Sequence, residues 1–292
     1  MKRILSFTLI FLLLLSLLPG ASALAFGEQR VVLGADLNQE QRQQMWNDFG
    51  LLPGAVTEMT VTIEQERAYL RGFVPDSVIG SRSISSIYIM ITEPGSGLDI
   101  SIYNINWLTE NIYRNALITA GITDARVIIS APVPVSGTAA LTGIYMAFED
   151  ISGEALSPQA KLAGIEEAVL TGEIAAFLGD DANITALMNE LKLILDEIRY
   201  MTDDEVRREI WNLADEFNLA LTNQQVEQIL RLARTLQDLD MGHLQSTILA
   251  IANNIDRINQ AGEAVSGFFG AIGGFFSTVG RGLSDFFNTI FR

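Results

Sequence analysis

The chain has 292 residues, a formal charge of −16 and a hydrophobic content of 49%. A chain this apolar can bury a core, which excludes wholesale disorder. It has no cysteine and a single histidine, His243, so disulfides, thiolate zinc sites, cysteine nucleophiles and multi-histidine metal sites are excluded. The negative charge argues against nucleic acid as a partner, because phosphate binding needs a basic face. We expect no cofactor and no metal.

The start of the chain has the pattern of a secretory signal peptide over residues 1–25. Lys2 and Arg3 form a positive start, residues 4–18 are almost entirely apolar, and two A-x-A patterns place cleavage after Ala23 or Ala25. The apolar run is short for a membrane anchor, which needs about 20 residues. We therefore expect a secreted protein with an extracellular or cell-envelope location.

Residues 26–151 alternate between strand and helix patterns. This alternation predicts an α/β or α+β domain with a mixed sheet of about four or five strands. Pro94, Gly95, Ser96 and Gly97 predict a hairpin turn between two strands. In chain order, we predict a strand over 30–34, a helix over 38–50, a strand over 58–63, a helix over 64–70, strands over 85–92 and 98–104, a helix over 108–120, a strand over 125–130 and a helix over 136–150.

Residues 152–262 predict an all-α domain, because the sequence contains no proline after Pro158 and proline breaks helix interiors. Thr202 and Thr222 are predicted helix caps. Lys161 and Lys192 are predicted to be solvated on polar helix faces, and His243 to lie on the surface at a helix start. The predicted helices span 158–178, 183–200, 202–219, 222–238 and 240–261.

Residues 263–292 form a Gly- and Phe-rich tail whose apolar residues recur every three or four positions, which predicts an amphipathic helix. Such a helix needs a surface to pack on, and three remain open: the protein's own core, an envelope partner protein or a membrane surface. The predicted contact residues are Phe268, Phe269, Ile272, Phe275, Phe276, Val279, Leu283, Phe286, Phe287 and Ile290.

Two Gly/Ser-rich segments are candidates for ligand binding. In residues 79–86, Arg82 can meet a carboxylate or a phosphate. Residues 135–143 follow a strand and open a helix, where backbone amides can hold an anion. The alternative for residues 79–86 is an ordinary loop with a surface ion pair. The alternative for residues 135–143 is a capped helix whose small residues pack closely on the sheet. The candidate ligand-binding residues are Asp36, Arg82, Ser85, Asn104, Ser136 and Thr138.

The sequence allows few combinations of catalytic residues. A Ser-His-Asp triad would have to use His243, which lies in the helical half, and the sheet half contains no lysine for a Ser-Lys dyad. Paired carboxylates, as in glycoside hydrolases, remain available, although we assign no catalytic residue. The acidic candidates are Asp36, Glu64, Glu66, Asp99 and Glu149.

Several segments, taken together, resemble a known family, the predicted secreted proteins of Gram-positive bacteria called domain of unknown function 1002, or YpuA-like. The resemblance covers most of the mature chain and is densest over residues 34–150. It implies export and a bacterial envelope setting, and it implies no activity. Gln65 stands where the family pattern has an acid, which counts against a paired-acid role there. The segments are Gly34–Leu37, Thr62–Leu70, Ile79–Ser86, Asn104–Trp107, Thr119–Ile122 and Val135–Gly143.

The sequence therefore favours a secreted envelope protein that acts as a non-catalytic binding or assembly module at the cell wall or the outer face of the cytoplasmic membrane. One alternative is a carboxylate-dependent hydrolase of a wall polymer. The other is a purely structural protein whose tail packs on its own core.

Overall fold

The computed structural model describes residues 26–70, 79–240 and 242–248, and its centre is a five-stranded mixed sheet. The strand order is β2-β1-β3-β5-β4. This confirms the predicted α/β part with about four or five strands and a helical part behind it. The strands are β1 (Gln29–Gly34), β2 (Thr57–Val61), β3 (Ser86–Ile91), β4 (Leu98–Ile105) and β5 (Ala125–Val135).

The pairing directions bring most strand ends to one edge of the sheet. β1 and β2 are parallel, as are β4 and β5, while β3 is antiparallel to both β1 and β5. Four strands therefore end, and β3 begins, at the same edge, which we call the carboxyl edge. In open α/β sheets the loops at this edge are the common place for ligands.

The predicted hairpin between β3 and β4 is wrong, because β5 lies between these two strands. The chain does turn at 93–96, where Ser96 N–H donates to the carbonyl of Glu93 at 3.0 Å. A position inside the sheet, between β3 and β4, suits β5, since Val127, Ile128 and Ile129 are all buried and lie alternately on its two faces. A strand buried on both faces needs neighbours on both sides to satisfy its backbone.

Nine helices have both ends within residues 39–236 of the described chain, and their order follows the prediction with small boundary shifts. Asn38, Thr202 and Thr222 each form a capping box, which confirms the two predicted threonine caps. The helices are α1 (Gln39–Asp48), α2 (Ile63–Leu70), α3 (Glu110–Thr119), α4 (Thr138–Ser152), α5 (Pro158–Leu178), α6 (Asp181–Leu193), α7 (Leu195–Ile198), α8 (Asp203–Glu216) and α9 (Asn223–Leu236).

The helix predicted over 183–200 is interrupted after Leu193. Gln245 Nε2 donates to the Leu193 carbonyl at 3.2 Å, which satisfies one of the acceptors exposed by the break. The chain then resumes as α7, whose Leu195 and Ile198 are both fully buried. The break therefore turns these two apolar side chains into the core.

Helices cover both faces of the sheet. On one face, helix α1 packs on Val31 of β1 and Tyr88 of β3. The side chains that make this contact are Met45 and Trp46 of α1 and Phe49, which directly follows the helix. On the other face, α4 packs on β1 and β3, and α3 packs on β4. Helices α5, α6, α8 and α9 follow behind them, and one apolar core runs from the sheet into these helices. The division into two domains near residues 151–158 stays a prediction.

Both lysines that we predicted to be solvated are buried, so that prediction is wrong. Lys192 is 0% exposed and pairs with Glu167 at 2.7 Å. Lys161 is largely buried and pairs with Glu149 at 2.6 Å. The reason is that α6 is enclosed on nearly all sides and has no solvated face for Lys192. The prediction for His243 is confirmed, because it is exposed at the start of the helical segment 242–248.

Three predictions lie outside the described residues: the signal peptide over 1–25, the end of the helix predicted over 240–261, and the contact residues of the tail over 263–292. Within the part of the chain that the structure describes, no helix is long and apolar enough to cross a membrane.

Candidate functional site

A pocket of about 520 Å³ opens at the carboxyl edge of the sheet. One wall is the segment 79–85 before β3, and the other is formed by the ends of β4 and β5 and the start of α4. This volume is in the usual range for small-molecule sites. The residues that line it are Ile79, Gly80, Ser81, Arg82, Ile84, Ser85, Asn106, Trp107, Pro134, Val135, Ser136, Thr138 and Ala139.

Four of the six predicted ligand-binding residues lie in this pocket: Arg82, Ser85, Ser136 and Thr138. The two Gly/Ser-rich segments therefore face one another, although they are about fifty positions apart in the sequence. They meet because β5 ends beside the start of β3, to which it is antiparallel. Whether these residues bind a ligand stays a prediction.

The other two predicted residues do not line the pocket. Asp36 supports the wall from behind, because its Oδ2 accepts from Ser83 N–H at 2.7 Å and its carbonyl accepts from Arg82 Nη2 at 3.1 Å. Asn104 lies at the β-bulge of β4 with a φ of 57°. Its side-chain amide donates to the carbonyl of Ala131 at 2.7 Å, so Asn104 shapes the strand.

The wall that carries Arg82 is held close to β1. A Cβ at Gly34 would lie 2.4 Å from the carbonyl oxygen of Ser83, so a side chain there would force the two backbones apart. Asp36 N–H also donates to this carbonyl at 3.0 Å. The predicted surface ion pair of Arg82 is absent, since no described acidic side chain forms a salt bridge with it.

Behind the same wall lies a buried carboxyl group, Glu66 of α2, which is 0% exposed. The Oγ of Ser83 is in hydrogen-bond contact with Glu66 Oε1 and lies 2.8 Å from the carbonyl oxygen of Val61. A hydroxyl has one proton, and the Val61 carbonyl can only accept. If Ser83 donates to that carbonyl, its contact with Glu66 is satisfied when Glu66 is protonated and donates.

The electrostatics of Glu66 agree with this arrangement. Burial raises its pKa to about 7, the hydrogen bond from Ser83 opposes that rise, and the negative charge of Asp36 adds to it. Its Oε2 has no hydrogen-bond partner among the described residues. Glu66 is thus a neutral acid at mildly acidic pH that anchors the wall through Ser83.

The start of α4 forms the opposite wall. Its N-cap is Gly137, with a φ of 92° and no side-chain cap hydrogen bond, so this N-cap residue supplies no side-chain acceptor to the first backbone N–H groups of α4. Tyr113 Oη donates to the carbonyl of Gly137 at 2.5 Å and fixes the turn. Gly143, one turn further along, lies close to Val32 and Ile87, as the close-packing alternative required. The small residues therefore bring the helix start next to the sheet.

No acidic side chain and no histidine lines the pocket among the described residues. Glu64 is exposed on α2. Asp99 lies near Arg126, at 3.6 Å, at the beginning of β4 and therefore at the opposite edge, and Glu149 is paired with Lys161. Nowhere in the described residues do three or more histidine, aspartate or glutamate side chains gather as a possible metal site.

Sequence reasoning missed two residues of the pocket, Asn106 and Trp107. Both follow β4 immediately, and the backbone there is tied to the end of β5, where Asn106 N–H donates to the carbonyl of Val135 at 3.0 Å. The Asn104–Trp107 segment had been singled out as one of those that carry the family resemblance. The strand order that places this segment beside α4 was not predicted.

The fold and the pocket define an α/β protein with a helical C-terminal part and a cleft of mixed polar and apolar lining, which includes Arg82, at the carboxyl edge. The chain belongs to the family described as protein of unknown function (DUF1002), whose model matches residues 33–253. This confirms the resemblance found in the sequence. The chain is also 34% identical over 268 residues to the uncharacterized protein YpuA of Bacillus subtilis (strain 168). The match covers 90% of this chain and 92% of that protein. No solved structure gives a significant match.

Proposed function

We propose that this is a secreted protein of the bacterial envelope that binds an anionic ligand at the carboxyl-edge pocket without transforming it. The observation that supports binding is that Arg82 and the start of α4 line the same cleft. The N-cap of α4, Gly137, supplies no side-chain cap, and no described carboxylate lines the cleft. In a chain with a charge of −16, a cleft that is lined by an arginine and by no described carboxylate is a local exception. A carboxylate or phosphate would interact favourably with both the guanidinium and the helix start.

The arrangement of acidic groups supports binding over hydrolysis. A carboxylate-dependent hydrolase needs two carboxyl groups on either side of the scissile bond. Two acidic residues behind the pocket wall, Asp36 and Glu66, both contact Ser83 and do not line the pocket. The proposed site therefore has groups for holding an anion, and no described residue that lines it could act as a general base.

Arg82→Met is expected to weaken anion binding at least 10-fold, since a hydrogen bond to a charged group contributes about 1.5–3 kcal/mol. The measurement is the binding of inorganic phosphate and of acetate by titration calorimetry at constant ionic strength. Arg126→Met is the matched control, because Arg126 is an exposed arginine at the opposite edge.

Equal losses in the two arginine variants would mean that the anions respond to net charge alone, and they would contradict the proposed site. Release of product from a wall polymer by the wild-type protein, lost in Glu66→Gln, would replace the binding function by the hydrolase.

The envelope location rests on the leader over residues 1–25 and on the family resemblance, and we propose that the tail over 263–292 contacts a membrane surface. We expect residues 26–292 to float with liposomes and a truncation ending at Ala261 to remain in solution. Neutral and anionic lipids, each with and without calcium, separate hydrophobic insertion from charge bridging. If neither protein floats, the tail contacts protein instead, either a partner or its own core.

A further inference from the structure

Trp107 gives the pocket an aromatic wall beside its cationic corner. The indole is half-buried and lines the pocket. It is supported from behind by Gly172 of α5, where a Cβ would lie 3.2 Å from Cε2 and 3.3 Å from Cζ2. The next residue, Leu108, is 1% exposed, and its N–H donates to the carbonyl of Ser136 at 3.2 Å. The ring is therefore held in place at the pocket without a ligand.

Uncharged polar groups complete the lining. Ser85 lines the pocket as a 4% exposed residue. Its hydroxyl is not one of the buried polar atoms that lack a hydrogen-bond partner, so it offers a hydrogen-bonding group to a ligand without the free-energy cost of a stranded one. Asn106 adds an exposed side-chain amide, and the hydroxyls of Ser136 and Thr138 lie 3.4 Å apart at the start of α4.

We propose, resting on the anion-binding function above, that the ligand is an acidic saccharide, a sugar ring that carries a carboxylate or a phosphate. The negative group lies against Arg82 and the start of α4. The apolar face of the ring lies on Trp107, and the ring hydroxyls hydrogen-bond to Ser85 and Asn106. Each part of the lining then has a counterpart of matching chemistry.

Other ligand classes leave part of this lining unmatched. A simple inorganic anion leaves Trp107 without a contact. A neutral sugar leaves the charge of Arg82 without a counter-ion. A fully apolar ligand would desolvate Arg82 and Ser85 without giving either a hydrogen bond. A ligand with many charges is disfavoured by the overall charge of −16.

The test compares four probes on the secreted protein: glucuronic acid, glucose 6-phosphate, glucose and inorganic phosphate. We expect each charged sugar to bind at least 10-fold more tightly than glucose and than phosphate, and to change the tryptophan fluorescence. Trp107→Ala should remove the advantage of the sugars over phosphate while phosphate binding remains. Trp107→Phe should restore part of that advantage. Trp211→Ala, on α8, is the matched control and should change neither affinity.

The outcomes separate this proposal from the function on which it rests. If phosphate binds through Arg82 and the charged sugars bind no more tightly, the saccharide is overturned and anion binding stands. If none of the four probes binds, both proposals fall. If glucose binds as tightly as glucuronic acid, the charge requirement is overturned. Preference between glucuronic acid and glucose 6-phosphate identifies which anion the site takes. If Trp107→Ala does not fold, the Phe variant and the fluorescence change decide the role of the ring.

Discussion

Replacing Lys192 by methionine is expected to lower the free energy of unfolding by about 3–5 kcal/mol, which is the usual cost of removing one partner of a buried ion pair. Lys192 and Glu167 are 0% and 1% exposed, so neither charge has access to water. The loss of the ammonium group would leave the Glu167 carboxylate with the hydroxyl of Thr119, which donates to Oε2 at 2.5 Å. One neutral hydrogen bond does not offset the desolvation of a carboxylate.

The companion variant is Lys192→Met combined with Glu167→Leu. It removes both charges and fills the space with apolar groups, and such exchanges are often neutral or stabilising. We therefore expect the double variant to recover most of the stability lost in the single variant. Chemical denaturation at pH 7, read by circular dichroism, measures all three proteins.

A matched control is Arg207→Met, which breaks the partly exposed pair between Arg207 and Glu227. Ion pairs of this exposed kind contribute little to stability, because water screens both charges. Should Lys192→Met cost no more than Arg207→Met, the buried pair would not be the internal support that its geometry indicates.

The sequence predicted the secondary structure well because its signals are local. Hydrophobic periodicity placed each strand and most helices within a few residues, and Thr202 and Thr222 marked helix starts through the hydrogen-bonding chemistry of capping boxes. The strand order was not local information. The turn at 94–97 has the residues of a hairpin, yet β5, which follows some 30 residues later, takes the place beside β3.

Burial of charge could not be predicted from the sequence for a similar reason. Lys192 occurs four positions after Met188 in a stretch with ordinary amphipathic spacing, and only the arrangement of the surrounding helices shows that no face of α6 is solvated.

The candidate site could be predicted from the sequence only in part. The two Gly/Ser-rich segments stood out by composition, but their meeting, the part of Trp107 and the anchoring role of Glu66 depend on strand order and on contacts between α2 and the segment before β3.

Two buried carboxyl groups are expected to make the protein more stable at pH 5.5 than at pH 8. Glu190 of α6 is 1% exposed, and neither of its oxygens has a hydrogen-bond partner among the described residues. Burial raises its pKa from 4.5 to about 7, with a smaller contribution from the negative charge of Glu216. The pKa of Glu66 is raised to about 7 as well, first by burial.

The sign follows from comparing the folded and unfolded chains. Between pH 4.5 and 7, the unfolded chain loses the proton of each group while the folded chain keeps it. The stabilisation is therefore fully present below the unfolded pKa and is lost as the pH rises through the folded pKa. Since one pKa unit corresponds to about 1.4 kcal/mol, the free energy of unfolding should fall by about 2 kcal/mol for each group between pH 5.5 and pH 8.

Glu190→Gln tests this directly, because the amide stays neutral at every pH. We expect the advantage of the variant over wild type to be about 2 kcal/mol larger at pH 8 than at pH 5.5, with the fall in stability above pH 5.5 reduced accordingly. Denaturant unfolding at a series of pH values provides the measurement, and Glu197→Gln, an exposed residue of α7, is the control. An equal effect of Glu190→Gln at both pH values would show that packing, and not ionisation, governs this site.

Glu66→Gln extends the prediction to the pocket, since Glu66 holds the wall that carries Arg82 through Ser83. Ionisation of Glu66 would force Ser83 to choose between Glu66 and the carbonyl of Val61, because one hydroxyl proton cannot serve both acceptors. We expect the affinity of the wild-type protein for acetate to fall as the pH rises from 6 to 8. Acetate is the main probe because it stays ionised over this range, whereas phosphate itself becomes more negative. In Glu66→Gln the affinity for acetate should no longer vary with pH.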